Sequence, residues 1–390
     1  MIAIWHPAIM LSVVPNKNPD NERDRLAVAV LTVEHGLTQR EIAGITGKSQ
    51  PEVSRLYRQA CESGLVVQEV RWPDGQDHSV VDEVAFEGRD ELQKRLERLS
   101  KSSGARRPLF QKLHIVYGGS DLDDWELFGR KAGVEVGLLA RDADVIGVAW
   151  GRNVARVVKS MPNQPSTPDK IVIPVAGEPL THRAEVGATA AAELLANRFG
   201  ANVAEHLYGV GHRIPAHLAQ PDQVKTIRAY LASSSSYRNI FGPSDEREVP
   251  LIDRLDMVLT GVGSTETSQA SSDPLYLETV AAERAEKTRA REPSLTDAAI
   301  GNVSGWWLPR DPADKAASSV VARVNEHWFG ISLASLQGCA RRAVGGRSPK
   351  PGVVVVAAEP TKAETILAAV QAGVVSNLVV SRQLATSLLP

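Results

Sequence analysis

The spacing of apolar residues predicts three short helices near the start of the chain. Leu26, Val30 and Val33 recur at helical intervals and predict the first helix. Thr38 and Ser49 each precede an amphipathic run and have a glutamate three residues later, the capping-box spacing that marks a helix start. The second and third helices are therefore expected to begin next to these two residues.

The predicted third helix has one apolar face and one hydrogen-bonding face. Its apolar positions follow the i, i+3, i+4, i+7 spacing and are Val53, Leu56, Tyr57 and Ala60. The residues that this spacing turns outwards are Gln50, Glu52, Ser54, Arg55, Arg58 and Gln59. Three helices with a short glycine-containing turn before the last are typical of a helix-turn-helix, whose last helix enters the major groove of DNA.

A helical hairpin with a solvated, charged face is the alternative to DNA binding. DNA binding is favoured because Lys48, Arg55 and Arg58 cluster where phosphates and base edges would lie. The predicted DNA contacts are Thr38, Gln39, Arg40, Lys48, Ser49, Gln50, Pro51, Ser54, Arg55 and Arg58. Two β-rich runs around a "PDG" turn follow and predict the hairpin of a winged helix-turn-helix, so that a tail at 1–20 precedes a DNA-binding domain at 21–85.

Residues 86–105 are predicted to form a charged linker helix with a narrow apolar seam. Leu92, Leu96 and Leu99 lie at positions i, i+4 and i+7 of this segment. A seam of this width suits pairing with a second copy of the chain as well as packing onto the domain that follows. Both alternatives stay open from the sequence, and pairing would let a dimer span two operator half-sites.

Residues 106–390 alternate strand-like and helix-like segments, which predicts an α/β domain with a mainly parallel, Rossmann-like sheet. The strand patterns are "DVIGVAW", "KIVIPVAG", "LDMVLTGVG" and "GVVVVAAE", and helical patterns such as "KAETILAAVQAG" follow most of them. Ligands of such sheets bind beyond the carboxyl ends of the strands. The loops "AWGRN", "AGEP", "GVGST" and "AEPTK" are therefore expected to meet in one cleft.

These loops carry groups suited to a phosphate or a polyol. Lys362 is expected in the first turn of a helix capped by Thr361 and Glu364, where backbone amides and an ammonium would favour an anion. A solvated lysine at a helix start is the alternative. The glycines of the other loops would let a ligand approach the backbone, with Arg152 and Asn153 as hydrogen-bond donors.

Composition narrows the class of protein. The chain of 390 residues has 44 Lys and Arg against 46 Asp and Glu, so any binding of nucleic acid has to be local. Cys61 and Cys339 are the only cysteines, which cannot form a disulfide framework and fit a reducing, cytoplasmic location. The apolar opening "MIAIWHPAIMLSVVP" lacks a basic region and a cleavage pattern, and no run approaches the roughly 20 apolar residues that span a bilayer.

Aromatic and histidine residues add two weaker hypotheses. Trp306 and Trp307 in "GNVSGWW" suit either stacking on a sugar ring or packing in a core. The histidines lack tight metal-ligand spacing, so that neither a metal nor another cofactor is expected.

Five segments occur in an order that is typical of one family. They are "TQREIAGITGKSQPEVSRLYRQACESGLV", "DADVIGVAWGRNVARVV", "LDMVLTGVGS", "FGISLASLQ" and "KAETILAAVQAGVVSNLVVSRQLATSLL". Over roughly residues 22–390 the chain resembles the SorC family of bacterial transcriptional regulators, also called the sugar-binding domain group of the DeoR type. The resemblance implies a winged helix-turn-helix joined to an effector domain related to sugar-phosphate isomerases. It also implies assembly as dimers or tetramers and an operator affinity that a sugar, often phosphorylated, controls.

The resemblance also implies an effector site, carried over position by position. The family's first effector loop resembles Gly147 to Asn153, its glycine loop resembles Gly261 to Ser264, and its late lysine resembles Lys362. The residues expected around the effector are Gly147, Trp150, Gly151, Arg152, Asn153, Gly177, Glu178, Gly261, Gly263, Ser264, Asn302 and Lys362.

Several of these positions depart from the family's pattern. Asn153 stands where members often have the threonine of "GRT", Asn302 stands where "GDI" has an aspartate, and "GWWLPRD" resembles the usual "GRFFD". The second loop has "AGEP" in place of "VGG", which adds Glu178, and its charge would repel a phosphate. The effector is therefore expected to be a sugar, a polyol or a sugar phosphate, with its phosphorylation open.

Two classes of function follow from these patterns. The first is a regulator of a carbohydrate-utilisation operon, with double-stranded operator DNA, a sugar effector and other copies of the chain as partners and no membrane. The second is an aldose–ketose isomerase, which needs an acid and a base facing each other across the substrate. The four loops supply only Glu178 and Glu359, and a DNA-reading segment would be idle in an enzyme. Regulation without enzymatic activity is favoured.

Overall fold

Two units make up the chain, residues 1–77 and 78–390. The structure, a computed structural model, describes residues 19–66, 86–101, 107–117, 125–176, 187–203, 221–242, 249–266, 293–346 and 348–390. Within these ranges the first unit is helical and the second is an α/β domain, as predicted. No helix among the described residues combines the length and the apolarity needed to cross a membrane.

The first unit contains α1 (Pro19–Val33), α2 (Gln39–Thr46) and α3 (Gln50–Glu62). Both predicted helix starts are confirmed. Thr38 accepts a hydrogen bond from the amide of Glu41, whose carboxylate accepts one from the Thr38 amide at 2.8 Å. Ser49 caps α3 by accepting from the amide of Glu52 at 3.4 Å. These local bonds fix where α2 and α3 begin, independently of the rest of the chain.

The core of the first unit confirms the predicted face of α3 and corrects that of α1. The buried residues of α2 and α3 are Ile42, Val53, Leu56 and Ala60. On α1, however, Leu26 and Val33 are 50% and 59% exposed, whereas Val28 and Ala29 are buried. The small side chains of Ala29 and Ala60 belong to one buried cluster, and their size lets α1 approach α3 closely. This close approach, which periodicity does not encode, selects the buried face of α1.

The second unit is built from eleven helices and ten strands within its described residues. The helices are α4 (Arg89–Lys101), α5 (Trp125–Arg141), α6 (Arg152–Ser160), α7 (Ala188–Phe199), α8 (Pro221–Ser233), α9 (Ser235–Phe241), α10 (Leu295–Ala298), α11 (Lys315–Glu326), α12 (Leu333–Gly345), α13 (Ala363–Gln371) and α14 (Arg382–Ser387). The strands are β1 (Lys112–Val116), β2 (Val145–Val148), β3 (Ile171–Pro174), β4 (Asn202–Val203), β5 (Met257–Thr260), β6 (Val262–Ser264), β7 (Ala299–Val303), β8 (Trp306–Pro309), β9 (Gly352–Ala357) and β10 (Asn377–Ser381).

Seven strands form one parallel sheet in the order β1-β10-β9-β5-β2-β3-β4. The four strands predicted from sequence, β2, β3, β5 and β9, are confirmed and are consecutive in this sheet. Helices α5, α6 and α7 pack on one face, and α4, α12 and α13 contribute to the core on the other. Burial on both faces explains why the central strands consist of nearly continuous apolar residues.

A second, antiparallel sheet joins β6, β7 and β8. Its hairpin turns at Ser304 and Gly305, both of which have a positive φ, 51° and 87°. Two consecutive positive φ angles suit the tight turns that join two antiparallel strands. Because β6 follows β5 after a single residue, the loop "GVGST" connects the two sheets.

Helix α4 packs onto the second unit within the same chain. Leu92 and Leu96 are fully buried in the main core of this unit, and Leu99 packs against that core. Arg95 anchors the helix from the side by donating to the carbonyl of Leu388 at 2.6 Å. Of the two alternatives for the leucine seam, packing onto the following domain is therefore what the described residues show.

Replacing Leu96 by Ala should lower the free energy of unfolding of the second unit by about 2–5 kcal/mol, because it leaves a cavity in a closed core. Urea unfolding of the full-length protein measures the change. Leu99→Ala, at the half-buried end of the seam, is the matched control and should have a smaller effect. Unchanged unfolding together with a lower oligomeric mass would assign the seam to pairing between chains.

Candidate functional site

The carboxyl ends of four neighbouring strands define the candidate effector site. Strands β9, β5, β2 and β3 are consecutive in the sheet, so the loops that follow them emerge side by side. Residues 149–153, 261–264 and 358–362 therefore lie at one edge. Of the loop after β3 the structure describes Ala176, whereas the predicted site residues Gly177 and Glu178 lie outside the described residues.

The loop after β2 turns sharply into α6. Gly151 has φ 136° and ψ 149°, a conformation that residues with a side chain rarely adopt. The turn places Arg152 and Asn153 in the first turn of α6 at the sheet edge. Gly147, in contrast, lies inside β2, and a Cβ there would come within 2.6 Å of Val175. Its predicted contact with the effector is replaced by a packing role, because Val175 fills the space beside it.

The buried carboxylate of Glu359 links two of these loops. Asn153 Nδ2 donates to Glu359 Oε2 at 2.8 Å, and Lys362 Nζ lies 2.9 Å from the same oxygen. The amide of Ala358 also donates to Oε2, at 3.3 Å. Arg152 Nη2 lies 4.0 Å from the other oxygen, Oε1. The side chains of Asn153, Lys362 and Arg152 thus surround the negative charge of Glu359 at this edge of the sheet.

This carboxylate is ionised at neutral pH. Burial alone would raise the pKa of Glu359, but the charge of Lys362 and the hydrogen bonds from Lys362 and Asn153 outweigh it and lower the pKa to about 2. On the other side of the carboxylate, burial and the charge of Arg152 lower the pKa of Arg156, while Glu359 acts in the opposite sense. The charges of Arg152 and Glu359 thus act on the pKa of Arg156 in opposite directions.

The helix start at Lys362 differs from its prediction. Lys362 is the N-cap residue of α13 and makes no side-chain cap bond, and a 3₁₀ turn precedes the helix. Thr361 and Glu364 do not form the predicted capping box. The 3₁₀ turn over Pro360–Lys362 moves the start of α13 to Ala363, so Thr361 lies before the N-cap position. Lys362 lies at the site as expected, but its charge is paired and not free.

Two buried polar atoms on the loops that carry this cluster have no hydrogen-bond partner within the described ranges, Asn153 Oδ1 and Thr361 Oγ1. The orientation of the Asn153 amide follows from chemistry, because an ionised carboxylate only accepts hydrogen bonds and so takes the nitrogen. Buried polar atoms are normally paired. A ligand hydroxyl that forms a hydrogen bond with either of these two atoms would therefore contribute most to the free energy of binding.

The glycine loop after β5 runs into the second sheet. Gly261 precedes β6, and Gly263 pairs with Asn302 of β7 in the antiparallel ladder. Ser264 and Asn302 are both buried, and Ser264 Oγ accepts from the amide of Glu266 at 3.2 Å. These predicted site residues lie in the ladder beside α13, with which β6 and β7 pack.

An aromatic cavity of about 500 Å³ adjoins the site through Trp328. Trp150, at the end of the first loop, packs edge to face against Trp328, with ring centroids 5.4 Å apart. The cavity is lined by Arg228, Tyr237, Phe241, Ile252, Trp306, Ala322, Asn325, Glu326, Trp328, Phe329, Gly330, Ser332 and Ser335. Of the two adjacent tryptophans considered for sugar stacking, Trp306 lines this cavity and Trp307 is buried in the core.

Metal and thiol chemistry have little support in the described residues. No three His, Cys, Asp or Glu side chains there gather as a metal site requires. Cys339 is buried, and burial raises the pKa of its thiol to about 12, so it stays protonated at neutral pH.

The basic residues among the predicted DNA contacts of the first unit differ in whether they form salt bridges within the protein. Arg55 and Arg58 are exposed on α3, and neither has a salt-bridge partner among the described side chains. Lys48 is instead paired, with Asp24 at 2.6 Å and Glu52 at 3.6 Å, and its hydrogen bond to Asp24 raises its pKa. Arg55 and Arg58 are therefore the stronger candidates for contacts to DNA.

Glu359 was not among the predicted site residues. Its only signal in the sequence was a glutamate directly after an apolar strand, and no partner could be assigned to it there. The fold supplies Asn153, which lies 206 positions earlier in the chain, whereas Lys362 lies only three positions later.

The lowered pKa of Glu359 predicts a specific dependence of stability on pH. The ordinary value is 4.5 and the folded value is about 2, so the stabilisation is complete above pH 4.5 and is lost as the pH falls towards 2. Glu359→Gln should be less stable than the wild-type protein at neutral pH, and this difference should shrink as the pH falls below 4.5. Urea unfolding at a series of pH values measures it, and a difference independent of pH would contradict the assigned ion pair.

Comparison with known proteins agrees with this architecture. Residues 109–390 match the model of the sugar-binding domain family, Sugar-bind. The "Sorbitol operon regulator" of Klebsiella pneumoniae is 24% identical over 260 residues, which cover 64% of this chain and 68% of that protein. The crystal structure of a transcriptional regulator from Streptococcus pneumoniae TIGR4 has a TM-score of 0.55 at 16% identity and covers 77% of this chain and 97% of its own.

The full-length sorbitol operon regulator SorC from Klebsiella pneumoniae has a TM-score of 0.48 at 19% identity, over 95% of this chain and all of its own. The names of these similar proteins describe them as regulators of an operon or of transcription. The match to the family model spans more than half of the chain. With its parallel α/β domain preceded by helices, the chain therefore belongs to the SorC/DeoR-type family of sugar-binding transcriptional regulators.

Proposed function

We propose that the first unit binds operator DNA as a winged helix-turn-helix and that a sugar or polyol bound at the sheet edge of the second unit controls this binding. The observation that carries the proposal is the cluster of Asn153, Glu359 and Lys362, which gathers polar groups where parallel sheets bind ligands. A regulator of operator DNA works in the cytoplasm, and we place the protein there.

The three helices of the first unit support the DNA-binding role. Capped starts at Thr38 and Ser49 hold α2 and α3 with a short turn between them, and Gly47 in that turn has a φ of 69°. Arg55 and Arg58 are exposed on α3, which we assign as the recognition helix. The predicted wing lies outside the described residues and stays a prediction.

The effector site is proposed at the edge formed by β9, β5 and β2. Arg152, Asn153 and Lys362 surround Glu359 there, and Trp150 leads to the aromatic cavity. Aromatic rings can stack on the apolar face of a sugar, whereas the polar cluster offers partners to hydroxyl groups. Gly177 and Glu178 are proposed to complete the site. The sorbitol operon regulator is named for a polyol, and we propose an effector of similar chemistry here.

Assembly into dimers or tetramers is part of the proposal. One recognition helix with a few basic residues is a small footprint for selective binding, and two copies on a palindromic operator would double it.

An isomerase activity is not favoured by the geometry. A general base works best when its pKa lies near the working pH. The carboxylate of Glu359 has a pKa of about 2 and is occupied by Asn153 and Lys362, so it is a weak base for removing a proton from a sugar.

Operator binding is tested by Arg55→Ala and Arg58→Ala. Each replacement should weaken operator binding by about 1–3 kcal/mol if the arginine makes bidentate contacts to bases. Fluorescence anisotropy at fixed salt concentration measures the affinity, because charge contacts depend on salt.

Arg382→Ala is the charge-matched control, since Arg382 is exposed in the second unit. It should leave operator affinity unchanged. Equal affinities of the wild-type protein and the Arg55→Ala/Arg58→Ala double variant would refute the assignment of α3 as the recognition helix.

The effector site is tested by Thr361→Val, which removes a buried hydroxyl but keeps the shape of the side chain. Because Thr361 Oγ1 has no described partner, the change should leave thermal stability unchanged or slightly higher without effector. It should weaken the response of operator binding to the effector. Thr386→Val, an exposed threonine on α14, is the control. An unchanged effector response would remove Thr361 from the site.

A further inference from the structure

The charge of Lys362 is already balanced inside the cluster. Its ammonium lies 2.9 Å from the carboxylate of Glu359, and the two side chains are 12% and 5% exposed. Solvent and salt screen a pair at this depth only weakly. A bound anion would have to compete with Glu359 for the ammonium, and it would also meet the negative charge of Glu359 itself.

The polar atoms left over at the cluster are mainly acceptors. Asn153, which is 3% exposed, uses its amide nitrogen on Glu359, and its Oδ1 has no partner within the described ranges. Thr361 adds a hydroxyl oxygen, and Glu359 adds its second carboxylate oxygen. A ligand hydroxyl can donate to these acceptors, whereas a phosphate dianion has no proton to donate.

We propose that Glu359 makes this site selective for neutral, polyhydroxylated ligands and keeps phosphoryl groups away from Lys362. The inference rests on the proposed sugar-sensing function and specifies the class of ligand. Glu359 acts in two ways: it occupies the ammonium of Lys362, and it holds the amide of Asn153 so that Oδ1 is left for a ligand hydroxyl. Glu359 is thus a specificity-determining residue.

Two arginines on the far side of the carboxylate offer an alternative position at which an anion could bind. Arg152 Nη2 lies 4.0 Å from Glu359 Oε1. Arg156, one turn later, packs its guanidinium over the ring of Trp125 at 4.8 Å from the centroid. If these arginines captured phosphate, the wild-type protein would bind it without any change at Glu359, and this difference makes the inference testable.

Inorganic phosphate tests the exclusion without knowledge of the sugar. Glu359→Gln keeps the size of the side chain and removes its charge, so the affinity of the full-length protein for phosphate should rise at least about tenfold in calorimetry. The double variant Glu359→Gln/Lys362→Met is the matched control and should lose this gain. Equal affinities for phosphate in the wild-type protein and Glu359→Gln would overturn the inference.

Matched ligand pairs separate this inference from the proposed function. Sorbitol with sorbitol 6-phosphate, and glucose with glucose 6-phosphate, are titrated into the wild-type protein and Glu359→Gln. The inference expects wild-type protein to prefer the unphosphorylated member of any pair that binds, and Glu359→Gln to shift that preference about tenfold towards the phosphorylated member.

Each other outcome decides one of the two claims. Tighter binding of a phosphorylated member to the wild-type protein overturns the exclusion and leaves sugar sensing intact. If no sugar binds but phosphate binds only Glu359→Gln, sugar sensing fails and the exclusion stands. The ligand pairs on the wild-type protein need no variant, so they stay decisive even if Glu359→Gln does not fold.

Discussion

A parallel sheet has to be covered on both faces, and the second unit follows from this constraint. Strand β9 has six consecutive buried residues, and the helices on its two sides supply the apolar surfaces that cover it. The side chains of the central strands β2, β5 and β9 are buried along their whole length. At the carboxyl ends of β9 and β2, polar side chains from two loops surround Glu359.

Burying the charged carboxylate of Glu359 costs solvation free energy, which nearby charges and hydrogen bonds have to offset. This need explains which side chains surround Glu359. A carboxylate away from water is costly unless charges and hydrogen bonds oppose the loss of solvation. Lys362 and Asn153 provide both, from two different loops. The same bonds hold the loops together, so the ligand site and the stability of the sheet edge share the same residues.

Local signals in the sequence predicted both helix starts of the first unit correctly. The caps at Thr38 and Ser49 depend on residues three positions apart, and both helix starts are where the spacing predicts them. The expected capping box of Thr361 and Glu364 was wrong, because a 3₁₀ turn precedes α13 and Lys362 is its N-cap residue without a side-chain cap bond. The predicted face of α1 was wrong because Ala29 and Ala60 set the approach of two helices, which apolar spacing alone does not register.

The sequence by itself determined the α/β class, four central strands, the three N-terminal helices and the family, because these depend on periodicity, capping and the order of segments within one chain. Only the tertiary structure decided the order of the strands, the burial of the leucine seam of α4 and the pairing of Asn153 with Glu359. The physical reason is that each of these depends on contacts between residues far apart in the chain, such as the 206 positions that separate Asn153 from Glu359. Periodicity predicts which face of an element is apolar, but not which residues that face meets.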